Sequence, residues 1–144
     1  MKTFDMQFIR YMNLFSRITR VSAKHSFLYN NMIVFVVMPS NVERAIGRDN
    51  ENLKKISNIL GKRIRVVAQP RGIKDISGFL SVIVSPIKYQ NLNIVDNETG
   101  EKEVVISTQG RENKAMLIGR ERIREKELKE IVEQYFGIKN LKIV

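Results

Sequence analysis

Two copies of one pattern run through this sequence, and the internal repeat restricts the fold more than any other feature. The tripeptide Ile-Gly-Arg occurs around Gly47 and again around Gly119, each time ahead of apolar residues at helical spacing. A further glycine, Gly61 in the first copy and Gly137 in the second, stands where a helix C-cap glycine belongs. The repeat period is about 72 to 77 residues. The chain is therefore predicted to form two units of the same topology.

Each copy predicts the same order of elements: helix, strand, strand, short helix, helix and strand. In the first copy the predicted helices cover 4–18, 42–46 and 50–60, and the predicted strands cover 21–29, 32–38 and 63–67. In the second copy a helix capped by Asp75 and ended by Pro86 precedes strands over 87–95 and 103–108, a short helix over 111–118, a helix ended by Gly137, and a strand over 138–144. This order predicts an α+β fold, and the stretch 69–74 is the predicted boundary between domains 1–69 and 70–144.

The charge of the chain favours a polyanionic partner. The formal net charge is +10, and most of the excess lies in the first half. Residues 1–70 hold 12 Lys and Arg against 4 Asp and Glu, a balance of +8, whereas residues 71–144 hold 13 against 11, a balance of +2. Nucleic acid is the first polyanion to consider for such a surface, and the two halves are not expected to bind it alike.

Several classes of function lack the residues they need. The sequence has no cysteine and one histidine, His25, with no carboxylate cluster beside it and no glycine-rich nucleotide-binding motif. We therefore expect no enzymatic activity, no metal or other cofactor and no small-molecule substrate. The longest apolar run, 32–38, is too short to span a bilayer, and the N-terminus does not resemble a secretory signal. These features favour a cytoplasmic protein without a membrane partner.

The two Gly-Arg turns are the candidate ligand sites. A glycine lets another backbone approach, the following helix presents N–H groups and a partial positive charge, and an arginine adds donors for phosphate oxygens. Apolar residues nearby can form a groove for the unstacked bases of single-stranded RNA. A solvated surface is the competing explanation for each basic side chain. The candidate RNA-binding residues are Arg44, Gly47, Arg48, Asn50 and Lys54 in the first copy and Lys114, Gly119, Arg120 and Arg122 in the second.

The turns and the order of elements resemble the KH domain in its type II arrangement, whose mark is Ile-Gly-x-x-Gly ahead of a helix. The matching stretches are IGRDN, 46–50, and IGRER, 118–122. From about residue 20 onward the tandem also looks like the archaeal NusA-like transcription factors. The resemblance implies two tandem type II KH domains, each a three-stranded sheet with helices packed on one face. It further implies binding of single-stranded RNA in transcription elongation or termination, without catalysis, and makes RNA polymerase a candidate partner.

Both copies depart from the motif at its second glycine, which is Asn50 in the first copy and Arg122 in the second. Asparagine tolerates the left-handed conformation better than arginine, so the first turn is expected to keep its shape better. Each turn also contains an acid, Asp49 or Glu121, which repels phosphate. Asp49 can alternatively cap the helix that follows.

The helix after the second turn carries one more departure. Glu125 stands where the family usually has an apolar residue, and Ile123 is expected to pack in its place. Together with the charge balance, this favours the first unit as the main RNA contact.

Because both motifs lack the second glycine, a second hypothesis stays open. The chain can instead be a protein-interaction scaffold that docks on RNA polymerase or the ribosome and binds little RNA. Binding to duplexes or to DNA is a third hypothesis. Titration of short single-stranded RNAs at two salt concentrations, with duplexes in parallel, separates the three.

Overall fold

A computed structural model describes residues 6–144, and the chain divides into two compact units, Met1–Gln69 and Pro70–Val144. Each unit follows the order helix, strand, strand, short helix, helix, strand and contains one three-stranded sheet. The predicted α+β fold class is therefore confirmed, and the architecture is consistent with two tandem KH-like domains. Phe4, the first apolar residue of the predicted N-terminal helix, lies outside the described residues.

The first unit has its helices on one side of a mixed sheet. Its elements are α1 (Met6–Thr19), β1 (His25–Tyr29), β2 (Met32–Val37), α2 (Val42–Ile46), α3 (Glu51–Leu60) and β3 (Arg63–Ala68). Strand β1 pairs antiparallel with β2, and β2 pairs parallel with β3 in a register that sets Ile33 beside Ile64. The predicted Asn30-Asn31 turn joins β1 to β2, and both of its residues are left-handed.

The core of the first unit explains the apolar stripe of α1. Phe15 is fully buried and stacks on Phe35 of β2, with the ring centroids 4.3 Å apart. Ile33, Val37 and Ile56 belong to the same buried cluster. The central strand β2 is buried along its whole length, as its continuous β-branched run indicates.

The second unit repeats this topology. Its elements are α4 (Ile76–Val84), β4 (Asn91–Asp96), β5 (Lys102–Ser107), α5 (Arg111–Ile118), α6 (Ile123–Phe136) and β6 (Asn140–Ile143). Strand β4 pairs antiparallel with β5, and β5 pairs parallel with β6. Gly137 ends α6 in the left-handed conformation, and Gly61 ends α3 in the same way, as their positions predict.

Two strands begin later than the sequence pattern indicates. Strand β1 begins at residue 25 rather than 21, because the buried hydroxyl of Thr19 donates to the Phe15 carbonyl at 2.8 Å and accepts from the Val21 amide at 3.0 Å. Strand β4 begins at residue 91 rather than 87. The Tyr89 hydroxyl donates to the carbonyl of Ser77 in α4 at 2.6 Å, which holds the preceding segment against that helix.

The predicted cap of α4 is also different in detail. Asp75 does occupy the N-cap position, but its side chain makes no capping hydrogen bond to the helix. One carboxylate oxygen of Asp75 instead accepts from the amide of Arg71 at 2.8 Å. The side chain therefore stabilises the approach to the helix rather than its first turn.

Candidate nucleic-acid interface

The two Gly-Arg turns have nearly the same backbone. Gly47 has φ 80° and ψ 172°, and Gly119 has φ 76° and ψ 172°, a region essentially restricted to glycine. The last residues of the turns are left-handed, Asn50 at φ 60°, ψ 24° and Arg122 at φ 61°, ψ 24°. The expectation that arginine would keep this shape less well is wrong. The Arg122 amide donates to the Gly119 carbonyl at 3.1 Å, which helps to hold the turn.

The bare face of Gly47 is covered by the chain itself. A Cβ on this glycine would lie 2.9 Å from Asn52 Nδ2 and 3.2 Å from the Asn52 amide nitrogen. The same Nδ2 atom lies 3.3 Å from the carbonyl oxygen of Arg44 and 3.2 Å from that of Ala45, to which it donates at the end of α2. The sequence predicts that this face admits the backbone of a ligand. It admits the first turn of α3 instead, so the glycine is needed for the packing of α2 against α3.

The second turn uses a different side chain for the same purpose. A Cβ on Gly119 would lie 2.9 Å from Arg124 Cγ and 3.1 Å from the Arg124 amide nitrogen. Arg124 Nη1 donates to the Met116 carbonyl at 2.9 Å. Asn52 and Arg124 occupy the same position relative to their glycines. Each unit therefore closes the end of its short helix with the helix that follows the turn.

The predicted basic side chains are exposed around these turns. Arg44, Arg48 and Lys54 in the first unit and Lys114, Arg120 and Arg122 in the second are all exposed. Asp49 lies inside the first turn with φ 54° and ψ 35°, and Asn50 rather than Asp49 takes the N-cap position of α3. The alternative role of Asp49 as a helix cap is therefore wrong, and its carboxylate is exposed on the turn.

A groove of about 550 Å³ opens beside the first turn, between α3 and the edge strand β3. Of the predicted residues it includes Asn50 and Lys54, whereas Arg44, Gly47 and Arg48 do not line it. The other side chains come from α3, β3 and the start of β2. The lining residues are Met32, Asn50, Leu53, Lys54, Ser57, Asn58, Arg63, Ile64 and Arg65.

Strand β3 concentrates positive charge along this groove. Arg63 Nη2 donates to the Asn30 carbonyl at 2.8 Å, which fixes the guanidinium beside the β1–β2 turn. Burial and the nearby Arg63 lower the pKa of Arg65, and Tyr29 partly offsets them. Because like charges on neighbouring guanidinium groups disfavour each other, an anion bound beside them would relieve the repulsion.

The sequence patterns predicted strand β3 but did not assign it to the ligand site. The available signal was the basic, apolar, basic order of Arg63, Ile64 and Arg65 directly after the helix-ending Gly61. Only the parallel pairing of β3 with β2 sets these residues alongside α3. The glycine motif alone gives no indication of that pairing.

The equivalent helix of the second unit carries an ion pair. Glu125, the third residue of α6, is 7% exposed, and its Oε1 lies 3.1 Å from Arg122 Nη1. Ile123 is 57% exposed. The expectation that Ile123 packs in place of Glu125 is therefore wrong, because the carboxylate is buried with the arginine as its partner. Arg122, a predicted RNA-binding residue, is already engaged.

A second groove, of about 450 Å³, lies in the second unit at the end of α6. It contains none of the predicted RNA-binding residues. Its lining residues are Ile73, Glu101, Lys102, Phe136, Gly137, Ile138 and Lys139.

Two further features concern residues 6–144. Among them no helix is both long and apolar enough to cross a membrane. Within the same range, no group of three or more His, Asp or Glu side chains is arranged to hold a metal ion.

Comparisons with known proteins identify relatives that are similar over most of this chain. No profile of a known protein family matches the chain. A probable transcription termination protein NusA from Methanococcus vannielii is 26% identical over 132 residues, which is 92% of this chain and 73% of that protein. The crystal structure of a protein named APE1850 superimposes with a TM-score of 0.66 at 28% identity, covering 94% of this chain and 96% of that one. The similarity therefore extends over both units.

Proposed function

We propose that this chain is a NusA-like factor that binds single-stranded RNA in the cytoplasm during transcription elongation or termination and has no catalytic activity. The observation that carries the proposal is the groove between α3 and β3, which combines an apolar surface with basic side chains beside a Gly-Arg turn. The similarity to a probable termination protein supports the process. RNA polymerase is the protein partner that this process implies.

The composition of the groove suits a single strand. Leu53 and Ile64 offer apolar contact to bases, while Lys54, Arg63 and Arg65 can pair with phosphates. Bases must be unstacked to use such a surface, and those of a duplex are not. A KH-like groove holds about four nucleotides, so short oligonucleotides are sufficient to occupy it.

The proposal is tested by fluorescence anisotropy with short labelled single-stranded RNAs, with duplex competitors in parallel. Affinity is expected to fall steeply between about 50 and 200 mM salt, because phosphate contacts release counterions. Lys54→Glu and Arg48→Glu are each expected to weaken binding severalfold without unfolding the protein. Lys126→Glu is the matched control, since Lys126 takes the place of Lys54 in the second unit.

Equal affinity of the Lys54→Glu and Lys126→Glu variants would refute the assignment of the groove. Absence of binding to any RNA at low salt would refute the function itself. That second result favours the protein-interaction scaffold, for which the exposed acid in the first turn, Asp49, is the supporting feature.

A further inference from the structure

The two units share a backbone at their turns but differ in one buried side chain. The third residue of the helix after the turn is Leu53 in the first unit, where it lines the groove. The third residue of the equivalent helix is Glu125, which is buried and paired with Arg122. Because Asn50 and Arg122 have the same dihedral angles, the two helices start from equivalent positions.

We infer that Glu125 is the residue that excludes RNA from the second unit, so that one chain holds one RNA strand. The inference rests on the proposed function of the first groove, and it assigns the number and place of RNA contacts. Glu125 acts in two ways, through its own charge and through its hold on Arg122.

The charge of Glu125 opposes RNA directly. A base that approached this position would meet a carboxylate in place of the apolar surface that Leu53 provides. Removing a carboxylate from its remaining water and its partner is costly, and its charge repels the phosphates that must pass beside it. Leucine at the same position carries neither penalty.

The ion pair also removes a phosphate ligand. Arg122 Nη1 donates to Glu125 Oε1 at 3.1 Å, and the rest of the guanidinium is exposed at the turn. If Arg122 turned toward a phosphate, Glu125 would remain buried without its partner. The loss of this hydrogen bond by the buried carboxylate costs free energy, so the pair holds the exposed arginine at Glu125.

Other acidic residues near the second turn are not both buried and paired with Arg122. Glu121 and Glu130 are exposed, so their carboxylates are solvated and screened by salt. Among the described residues, Glu125 is the one acidic residue that is buried. Its substitution is therefore expected to have an effect that removal of an exposed acid does not.

The experiment is a gain of binding. Glu125→Leu is introduced into the chain that carries Lys54→Glu, and affinity for a short single-stranded RNA is measured by anisotropy at low salt. The double variant is expected to bind about five- to tenfold more tightly than Lys54→Glu alone, as one released cation and one apolar contact allow. Glu133→Leu, which removes one exposed charge from the same helix, is the matched control and is expected to recover little.

Adding Arg122→Ala to the double variant distinguishes RNA binding at the second turn from a general effect of the altered net charge. It is expected to abolish the gain in the double variant. With Lys54 intact, Glu125→Leu is expected to raise the stoichiometry from one RNA per chain to two. The variant should fold, because the Arg122 side chain is 68% exposed and stays solvated when the buried carboxylate is replaced by an apolar side chain.

Three outcomes would overturn the inference: no gain from Glu125→Leu, an equal gain from Glu133→Leu, or a gain that survives Arg122→Ala. If Glu125→Leu fails to fold by circular dichroism, Glu125→Met releases Arg122 at similar side-chain length because it lacks the carboxylate acceptor, and no gain from it is equally decisive. Failure of the proposed function is seen separately, as absence of binding by the parent. If the parent chain does not bind RNA, the inference still predicts that the single variant Glu125→Leu binds it.

Discussion

Replacement of Gly47 by alanine tests whether this glycine serves the packing of α2 against α3. The backbone at Gly47, φ 80° and ψ 172°, lies in a region where a residue with a side chain pays about 1–3 kcal/mol. The new Cβ would also lie 2.9 Å from Asn52 Nδ2. If Asn52 rotates away, it loses two hydrogen bonds to carbonyls, each contributing about 0.5–1.5 kcal/mol. The contact with the Asn52 amide nitrogen remains, because the backbone cannot rotate away.

Together these effects predict that Gly47→Ala lowers the free energy of unfolding by about 2–6 kcal/mol, a large part of the total for a small domain. Urea unfolding followed by far-ultraviolet circular dichroism measures the change. Gly61→Ala is the matched control: Gly61 also has positive φ, 67°, but a Cβ there meets no atom within 4 Å. Its expected cost is about 1 kcal/mol, from the left-handed backbone alone.

An Asn52→Ala background separates the two contributions at Gly47. In that background Gly47→Ala is expected to cost less than in the parent chain, since the side-chain contact and the two hydrogen bonds are already gone. Gly47→Ala that destabilises no more than Gly61→Ala would refute the packing explanation. The bare face of the glycine would then have to serve another purpose.

Three further predictions concern the stability of each unit. Phe15→Ala should cost about 3–5 kcal/mol, because it removes a fully buried stacked ring, and RNA binding should be lost with the first unit. Thr19→Val should cost about 1–3 kcal/mol in urea unfolding, because it leaves the buried Val21 amide without its acceptor. Burial raises the pKa of Tyr135 well above its usual range, so the folded phenol stays neutral while the unfolded one ionises. Stability should therefore fall as the pH rises above about 10, and unfolding curves from about pH 8 to 11 should show a weaker fall for Tyr135→Phe.

The helices that follow the turns show what local patterns can predict. Both α3 and α6 end at a left-handed glycine, and their apolar spacing placed them correctly. A glycine at a helix C-terminus acts through its own backbone, so its effect is readable within a few residues. The late starts of β1 and β4 were not readable in this way. They depend on hydrogen bonds of Thr19 and Tyr89 that form only when the helices are in place.

The candidate site also combines residues that the local motif predicts with residues that only tertiary contacts bring to it. The motif pointed to Asn50 and Lys54, which do line the groove, but Arg63 and Arg65 join it through strand pairing. At position 125 the sequence pattern predicted an exposed carboxylate, with the nearby apolar residue Ile123 buried in its place. The structure reverses this, because an arginine at the turn lies within reach of the buried carboxylate.

The repeat, the order of elements, the ends of the helices and the concentration of positive charge in the first half could all be predicted from the amino-acid sequence. Each of these follows from the chemistry of residues that are close in the chain. Three features become visible only in the folded chain: Asn52 covers Gly47, β3 supplies the charged side of the groove, and Glu125 is buried while it pairs with the exposed Arg122. Strand pairing brings β3 beside α3 from a distant part of the chain. The contacts of Asn52 and Glu125 join residues that are close in the chain, and they form because the backbone of each turn sets these side chains against their partners.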